Sequence, residues 1–391
     1  MDPRTNPYAP GAGTPPPELA GRDELLERAA IALDRVRAGR SARSLILWGL
    51  RGVGKTVLLN QIRLDAEARG FISSRIEAPE GKSLPASLAP ALRAALLRLN
   101  RLEAVRSRAA DAMAALASFV GALRIRYGDI EASIDVDGQR GLADSGDLEL
   151  DLADLISAVG DAAQARSTAV VLYIDELQYV PEDQLGALIT AFHNASQQGL
   201  PVTMVAAGLP QLVGRSGRAK SYAERLFEFA EIGKLDRAAA TRALVAPALE
   251  HGVDYASGAI ETILTQTQGY PYFLQEWGKH SWNVASGSPI EQTDAEQATV
   301  DALAELDQSF FKVRLDRLTP SEKRYLTAMS DLGPGPHRSG DIAEALGKPV
   351  ASVAFVRNSL IEKGMIYSPG HGDTAFTVPL FDDFMRRTIP R

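Results

Sequence analysis

Two groups of residues in this sequence have the types and spacing for phosphate chemistry. The first is Gly49-Leu50-Arg51-Gly52-Val53-Gly54-Lys55-Thr56. Two fixed glycines precede a Lys and a Thr, with one more glycine than the phosphate-loop pattern requires. Such a loop aims backbone N–H groups and a helix N-terminus at one point, where they neutralise a polyphosphate. Gly49, Gly52, Val53 and Gly54 would form that cradle. Lys55 would reach the β- and γ-phosphates, and the Thr56 hydroxyl would help hold Mg²⁺. The second group, Val170-Val171-Leu172-Tyr173-Ile174-Asp175-Glu176, ends in a pair of acids, the first of them 120 residues beyond Lys55. Asp175 would contact Mg²⁺ directly or through water, and Glu176 would polarise an attacking water as general base.

The surrounding elements suit that chemistry. An apolar run, Ser44-Leu45-Ile46-Leu47-Trp48, leads into the loop, and an amphipathic stretch from Val57 to Arg69 follows it. A chance glycine turn would not carry this strand–loop–helix setting. An amphipathic helix over Asp23 to Arg37 precedes the first strand, Gly70 is placed to cap the loop helix, and Phe71 to Glu77 reads as a strand. Residues 84–122 hold two Ala/Leu/Arg-rich helical patterns. Leu123 to Val136 alternates with period two and predicts a hairpin turning at Gly128-Asp129. A helix over Asp151 to Gln164, a buried strand over Thr168 to Ile174, a helix at 183–197 and a strand at Val202 to Ala206 complete the series. Strands alternating with helices after a phosphate loop predict a parallel α/β sheet. From Arg237 to Ala285 the pattern is helical, with Trp277 and Trp282 expected in a core and His280 at the surface.

These motifs resemble the AAA+ P-loop ATPases, in the branch that holds origin-recognition-like proteins, archaeal-type ATPases and the STAND switch proteins. Leu19-Ala20-Gly21-Arg22-Asp23 resembles the entry motif that packs near adenine in these families. Tyr222-Ala223-Glu224-Arg225-Leu226-Phe227-Glu228-Phe229 resembles the arginine-finger segment, with Arg225 as the matching residue, acting across a subunit boundary. Gly269-Tyr270-Pro271 is similar to the Gly-x-Pro of the lid, whose proline (Pro271 here) lies against the base. Pro15-Pro16-Pro17 cannot enter a helix interior, so residues 1–17 read as a flexible or extended arm. The resemblance implies an AAA+ core at 18–236 with an insertion near 81–150, a helical lid at 237–300 and a winged helix-turn-helix at 301–391. It implies ATP and Mg²⁺ as ligands, and homo-oligomers that form with nucleotide.

Two departures from the family pattern bear on rate. The strand end Ala206-Ala207-Gly208-Leu209-Pro210 offers no polar sensor residue, and Tyr272 follows Pro271 with no nearby arginine. Slow hydrolysis, and a switch rather than a motor, is the expectation. Arg225 has two readings, a finger or a surface partner of Glu224 or Glu228. Arg215 and Arg218 are rivals for the finger, and Arg51, inside the phosphate loop, has two readings, a phosphate contact or, the expected one, a solvent-facing side chain.

In the C-terminal block, helices over Pro320 to Met329, Ser339 to Leu346 and Val350 to Lys363 precede a hairpin over Ile366 to Val378. That pattern resembles a winged helix. The third helix would face DNA with Arg357, Asn358 and Lys363, next to Glu362. Residues 320–391 carry nine Lys/Arg against eight Asp/Glu, so no basic footprint dominates. DNA binding and protein docking, or packing on the ATPase core, both remain open.

Bulk composition removes other classes. A chain of 391 residues with net charge −7 is acidic overall, so nucleic acid would need a local basic patch. The absence of cysteine excludes disulfides, zinc fingers, iron–sulfur clusters and thiol nucleophiles. Five histidines without ligand spacing argue against a His-based metal site. No apolar run reaches the roughly 20 residues that span a bilayer, and Met1 to Pro17 is Pro/Gly-rich, so a cytoplasmic location is expected. A kinase or other transferase is disfavoured, because no acceptor-binding motif is recognisable.

Overall fold

Five short apolar segments build the sheet that carries the phosphate loop. The computed structural model describes residues 1–11, 13–78, 83–100, 106–127, 142–370 and 372–388. The strands are β1 (Ser44–Trp48), β2 (Ile72–Glu77), β3 (Val170–Asp175), β4 (Val202–Gly208) and β5 (Phe227–Glu231), all parallel in the order β2-β3-β4-β1-β5. All six residues of β3 and all seven of β4 are buried, as expected of a sheet covered on both faces.

One face is covered by α1 (Asp23–Arg37) and α2 (Lys55–Ala68), which pack Leu33, Leu58 and Ile62 against Leu47, Val171 and Val205. The other is covered by α3 (Leu84–Leu99), α4 (Arg106–Tyr127), α5 (Leu148–Ala165) and α6 (Glu182–Gln197), whose Leu92, Phe119, Ile156 and Leu188 are fully buried. Burying each such side chain stabilises the fold by about 1.5–3 kcal/mol. The Asp147 carboxylate caps α5 by accepting from the N–H groups of Glu149 and Leu150, so this helix starts ahead of the expected Asp151.

One sequence expectation needs correction here, and one element goes beyond the expectations. Leu123 to Tyr127 form the last turn of α4, not a hairpin strand. The alternation is real, but no Gly or Pro lies between Gly121, itself inside the helix, and Gly128; the rest of the expected hairpin, 128–136, lies outside the described residues. The segment matched to an arginine finger contains a short helix, α8 (Ala223–Leu226), followed directly by the edge strand β5, which no sequence pattern announces. A further helix, α7 (Gln211–Ala219), precedes it.

The region expected to form the lid holds α9 (Arg237–Leu249), α10 (Ser257–Thr267), α11 (Pro271–Val284) and α12 (Gln292–Glu305). Trp277 is fully buried and donates its indole N–H to the Thr299 hydroxyl at 2.9 Å, tying α11 to α12. Residues 1–9 run along these helices. Tyr8 is buried, donates its hydroxyl to the Leu244 carbonyl, and accepts from the Tyr255 hydroxyl at 3.0 Å.

The helix α12 does not stop at the expected boundary of 300/301. It continues through a π-helical turn (Leu306–Phe311) into α13 (Lys312–Asp316). Beyond it, α14 (Pro320–Asp331), α15 (Ser339–Ala345), α16 (Val350–Glu362) and α17 (Phe381–Thr388) surround a small antiparallel sheet. Its strands are β6 (His337–Arg338), β7 (Ile366–Tyr367) and β8 (Asp373–Phe376), in the order β6-β8-β7. One apolar cluster runs unbroken from Tyr8 and Trp277 through Leu306 and Phe311 to Phe381 and Phe384. The lid and the C-terminal unit therefore share a core, so neither could separate without exposing apolar surface.

Candidate nucleotide site

The phosphate loop joins the C-terminal end of β1 to the first turn of α2, with Gly52 at φ 79° and Gly54 at φ 90°. Both lie in the left-handed region that glycine enters without a Cβ clash. Gly49 is required for a different reason: a Cβ there would lie 2.1 Å from the Ile232 carbonyl oxygen. That carbonyl sits on backbone held by the bond from the Ile232 N–H to the Trp48 carbonyl, 2.7 Å. Gly49→Ala should therefore destabilise the fold by about 1–3 kcal/mol or more through overpacking, read as a lowered urea midpoint. An unchanged midpoint would show that the loop can shift freely.

Lys55, the first residue of α2, donates its ammonium to the carbonyls of Gly49 at 3.0 Å and Leu50 at 2.7 Å. Burial pushes it down to about 8, with Glu176 and Asp175 opposing and Arg51 reinforcing that shift. Asp175 closes β3 and is buried. Burial raises its carboxyl, opposed first by hydrogen bonding from the Thr56 hydroxyl. The structure thus places the two expected metal ligands, Thr56 and Asp175, against one another. A hydroxyl and a carboxylate, both oxygen donors, are a set that fits Mg²⁺.

Glu176 has φ 53°, an uncommon conformation for a non-glycine residue and one that costs on the order of 1–3 kcal/mol. That conformation turns the chain from β3 into a short 3₁₀ turn, Leu177–Tyr179. The buried Gln178 then donates its amide to the Glu176 carboxylate and accepts the Leu209 N–H at 3.0 Å. The sequence offered no polar residue at the end of β4. The fold supplies one from the turn after β3, and Gln178 links the acid to that strand end.

Lys55, Thr56, Asp175, Glu176 and Pro271 line one cleft of about 600 Å³, within the range of ligand sites. Leu19, Ala20 and Arg22 line it too, as does part of the N-terminal arm from Ala9 to Pro16. The lid closes onto the loop directly: the Tyr272 N–H at the start of α11 donates to the Gly52 carbonyl at 3.1 Å.

The arginines are distributed differently from expectation. Arg225 is exposed and is not among the residues that line the cleft of its own chain. Its suggested partner Glu228 pairs with Arg28 at 2.6 Å. Arg215 is a strut, donating to the carbonyls of Gln178 and, at 2.7 Å, Val180. Arg218 is exposed near Glu182. Arg51 does not point freely to solvent. Its guanidinium donates to the Tyr179 hydroxyl at 3.0 Å and the Gly364 carbonyl at 3.4 Å, and its backbone N–H to the Thr377 carbonyl at 2.9 Å. Two cleft residues that sequence reasoning missed, Phe310 and Arg314, come from the π turn and α13.

His280 is also not a free surface residue: it lies 3.0 Å from Glu305 and, with Glu276, forms a cluster whose ligand atoms lie within 4.8 Å. The cation that Glu305 holds there is the Lys279 ammonium, at 2.6 Å.

Residues 18–205 match the family model described as the AAA ATPase domain, and residues 308–385 match one described as a domain of unknown function. No curated protein sequence matches the chain. Among solved structures, a Walker-type ATPase of Pyrococcus abyssi is similar at 15% identity and TM-score 0.59, over 95% of this chain and 97% of that one. Two others fall at a TM-score of 0.45. One is the Aeropyrum pernix Orc1 protein in complex with DNA, with 16% identity over 95% and 94% of the chains. The other is a mutant of Thermotoga maritima RuvB, with 14% identity over 95% and 96%. The Pyrococcus likeness carries the fold comparison. The phosphate loop and the acid-ended β3 both fall within residues 18–205, so that part of the chain is an AAA ATPase domain.

Proposed function

We propose that the protein is an ATP-dependent molecular switch with slow hydrolysis. The observation that carries this reading is the direct bonding of the phosphate loop to the C-terminal unit through Arg51, Gly364 and Thr377. Nucleotide at the loop and the position of the C-terminal unit are then two ends of one contact. Loop N–H groups and Lys55 would bind the phosphates, while Thr56 and Asp175 would hold Mg²⁺. When bound, that ion neutralises charge on the β- and γ-phosphate oxygens. Glu176 would take a proton from the attacking water. Its hold by Gln178 restrains the carboxylate, which supports slow turnover. Arg225, exposed on its own chain, suits a finger that reaches a neighbouring subunit, with nucleotide-dependent assembly.

The C-terminal unit has the helices and hairpin of a winged helix. Its third helix favours a protein partner over DNA. Arg357 is tied to the hairpin through the Thr374 hydroxyl at 2.9 Å and the Asp373 carbonyl at 3.0 Å, and Lys363 to Glu322 at 2.8 Å. The outward face instead carries Phe355, which is 82% exposed.

ATP titration of the full chain with Mg²⁺ should show binding, with phosphate release below about 0.01 s⁻¹, the range of switch-type P-loop enzymes. Gel shifts with duplex DNA at two salt concentrations should show no complex, with or without ATP. A steep salt slope would instead establish the DNA-binding alternative.

A further inference from the structure

We propose that Arg314, together with Arg51, reads the terminal phosphate of a bound nucleoside triphosphate and couples its presence to the C-terminal unit. This rests on the nucleotide site proposed above and assigns its regulation to a residue outside every motif of the core.

Four observations support it. First, Arg314 lines the same cleft as Lys55, Asp175 and Glu176. Second, its position along the cleft is set by its neighbours. Arg314 sits over Phe310, which stacks on Tyr272 at the phosphate loop, and the Arg51 guanidinium lining the same cleft bonds the hydroxyl of Tyr179, in the turn that begins at Glu176. That is the end of the site where the attacking water, and therefore the terminal phosphate, must lie.

Third, among the described residues no carboxylate pairs with Arg314, and the nearby Arg51 adds like charge. The guanidinium is instead held over the Phe310 ring at 3.9 Å and donates to the Phe310 carbonyl. Burial and Arg51 push it down to about 10. Two half-buried guanidiniums line one cleft, and neither is ion-paired with a carboxylate among the described residues, so an anion beside them would offset their like charge.

Fourth, both residues are mechanically attached. Phe310 stacks on Tyr272 at 4.9 Å, and the Tyr272 N–H bonds the phosphate loop. Arg314 lies on α13, which enters the C-terminal unit, and Arg51 holds that unit at Gly364 and Thr377. An anion that draws both guanidiniums therefore acts on the lid, the loop and the C-terminal unit together.

The test compares dissociation constants for a non-hydrolysable ATP analogue and for ADP in the full chain. Loss of a charge-assisted contact predicts that Arg314→Ala weakens the triphosphate on the order of tenfold to a hundredfold, with ADP within about twofold. Arg314→Lys, which keeps the charge and the packing stem, should restore part of the difference. Hydrogen exchange at the Arg51 amide and across 364–377 should differ between the two nucleotides in the wild type but not in Arg314→Ala. Equal weakening of both nucleotides, or no change in their ratio with Arg314→Lys behaving as wild type, would overturn the proposal and leave Arg314 a packing residue. Failure of the wild type to bind either nucleotide would sink the site itself, a result separable from these.

Discussion

Lys55→Ala is expected to weaken ATP binding at least about a hundredfold, because it removes two or more charge-assisted hydrogen bonds to phosphate oxygens. The effect should have a signature that generic loop damage lacks. Burial brings Lys55 down to about 8, so the free protein loses this proton as pH rises through 8, whereas the phosphate-bound form retains it. Wild-type affinity should therefore be flat below about pH 7 and fall above about pH 8, by no more than tenfold per pH unit. The alanine variant should show no such fall. Calorimetric titration across pH 6.5–9.5 would reveal it, and a Lys55→Ala protein that binds as tightly as wild type would remove the nucleotide reading altogether.

Glu176→Gln should leave ATP binding within about threefold of wild type and reduce turnover by about 10²–10⁴-fold, the usual contribution of a general base. The substitution is nearly isosteric, and its side-chain oxygen can still accept from the Gln178 amide. The positive φ and the 3₁₀ turn should survive as well, since both are set by the chain's exit from β3. Single-turnover phosphate release, with binding measured in parallel, separates the two effects. Turnover equal to wild type would show that another group activates the water.

The parts of the site legible in sequence were those encoded locally. Gly49 to Thr56 and Asp175-Glu176 each sit at a strand end that apolar runs announce. The parallel sheet followed from the same runs. What escaped depended on distance along the chain or on backbone angle. Arg314 is remote in sequence from Lys55, and only the continuation of α12 through the π turn brings it to the cleft. Gln178 was visible beside the acids, but its role needs the Leu209 N–H at the end of another strand. The strand β5 follows α8 without a break, so no turn residue marked its start. Arg51 was misplaced because its partners, Gly364 and Thr377, belong to another unit of the fold.

The unbroken passage from α12 through the π turn to α13 also has a mechanical consequence. A helical rod over residues 292–316 is about 37 Å long at the ordinary rise per residue. It packs against α11 at its lid end and enters the C-terminal unit at the other. Such a rod works as a lever: a tilt of about 10° around the lid would sweep its far tip by about 6 Å. Phe310 meets Tyr272 near the far end of that rod, so a tilt about the lid end would carry this contact and the entry to the C-terminal unit together.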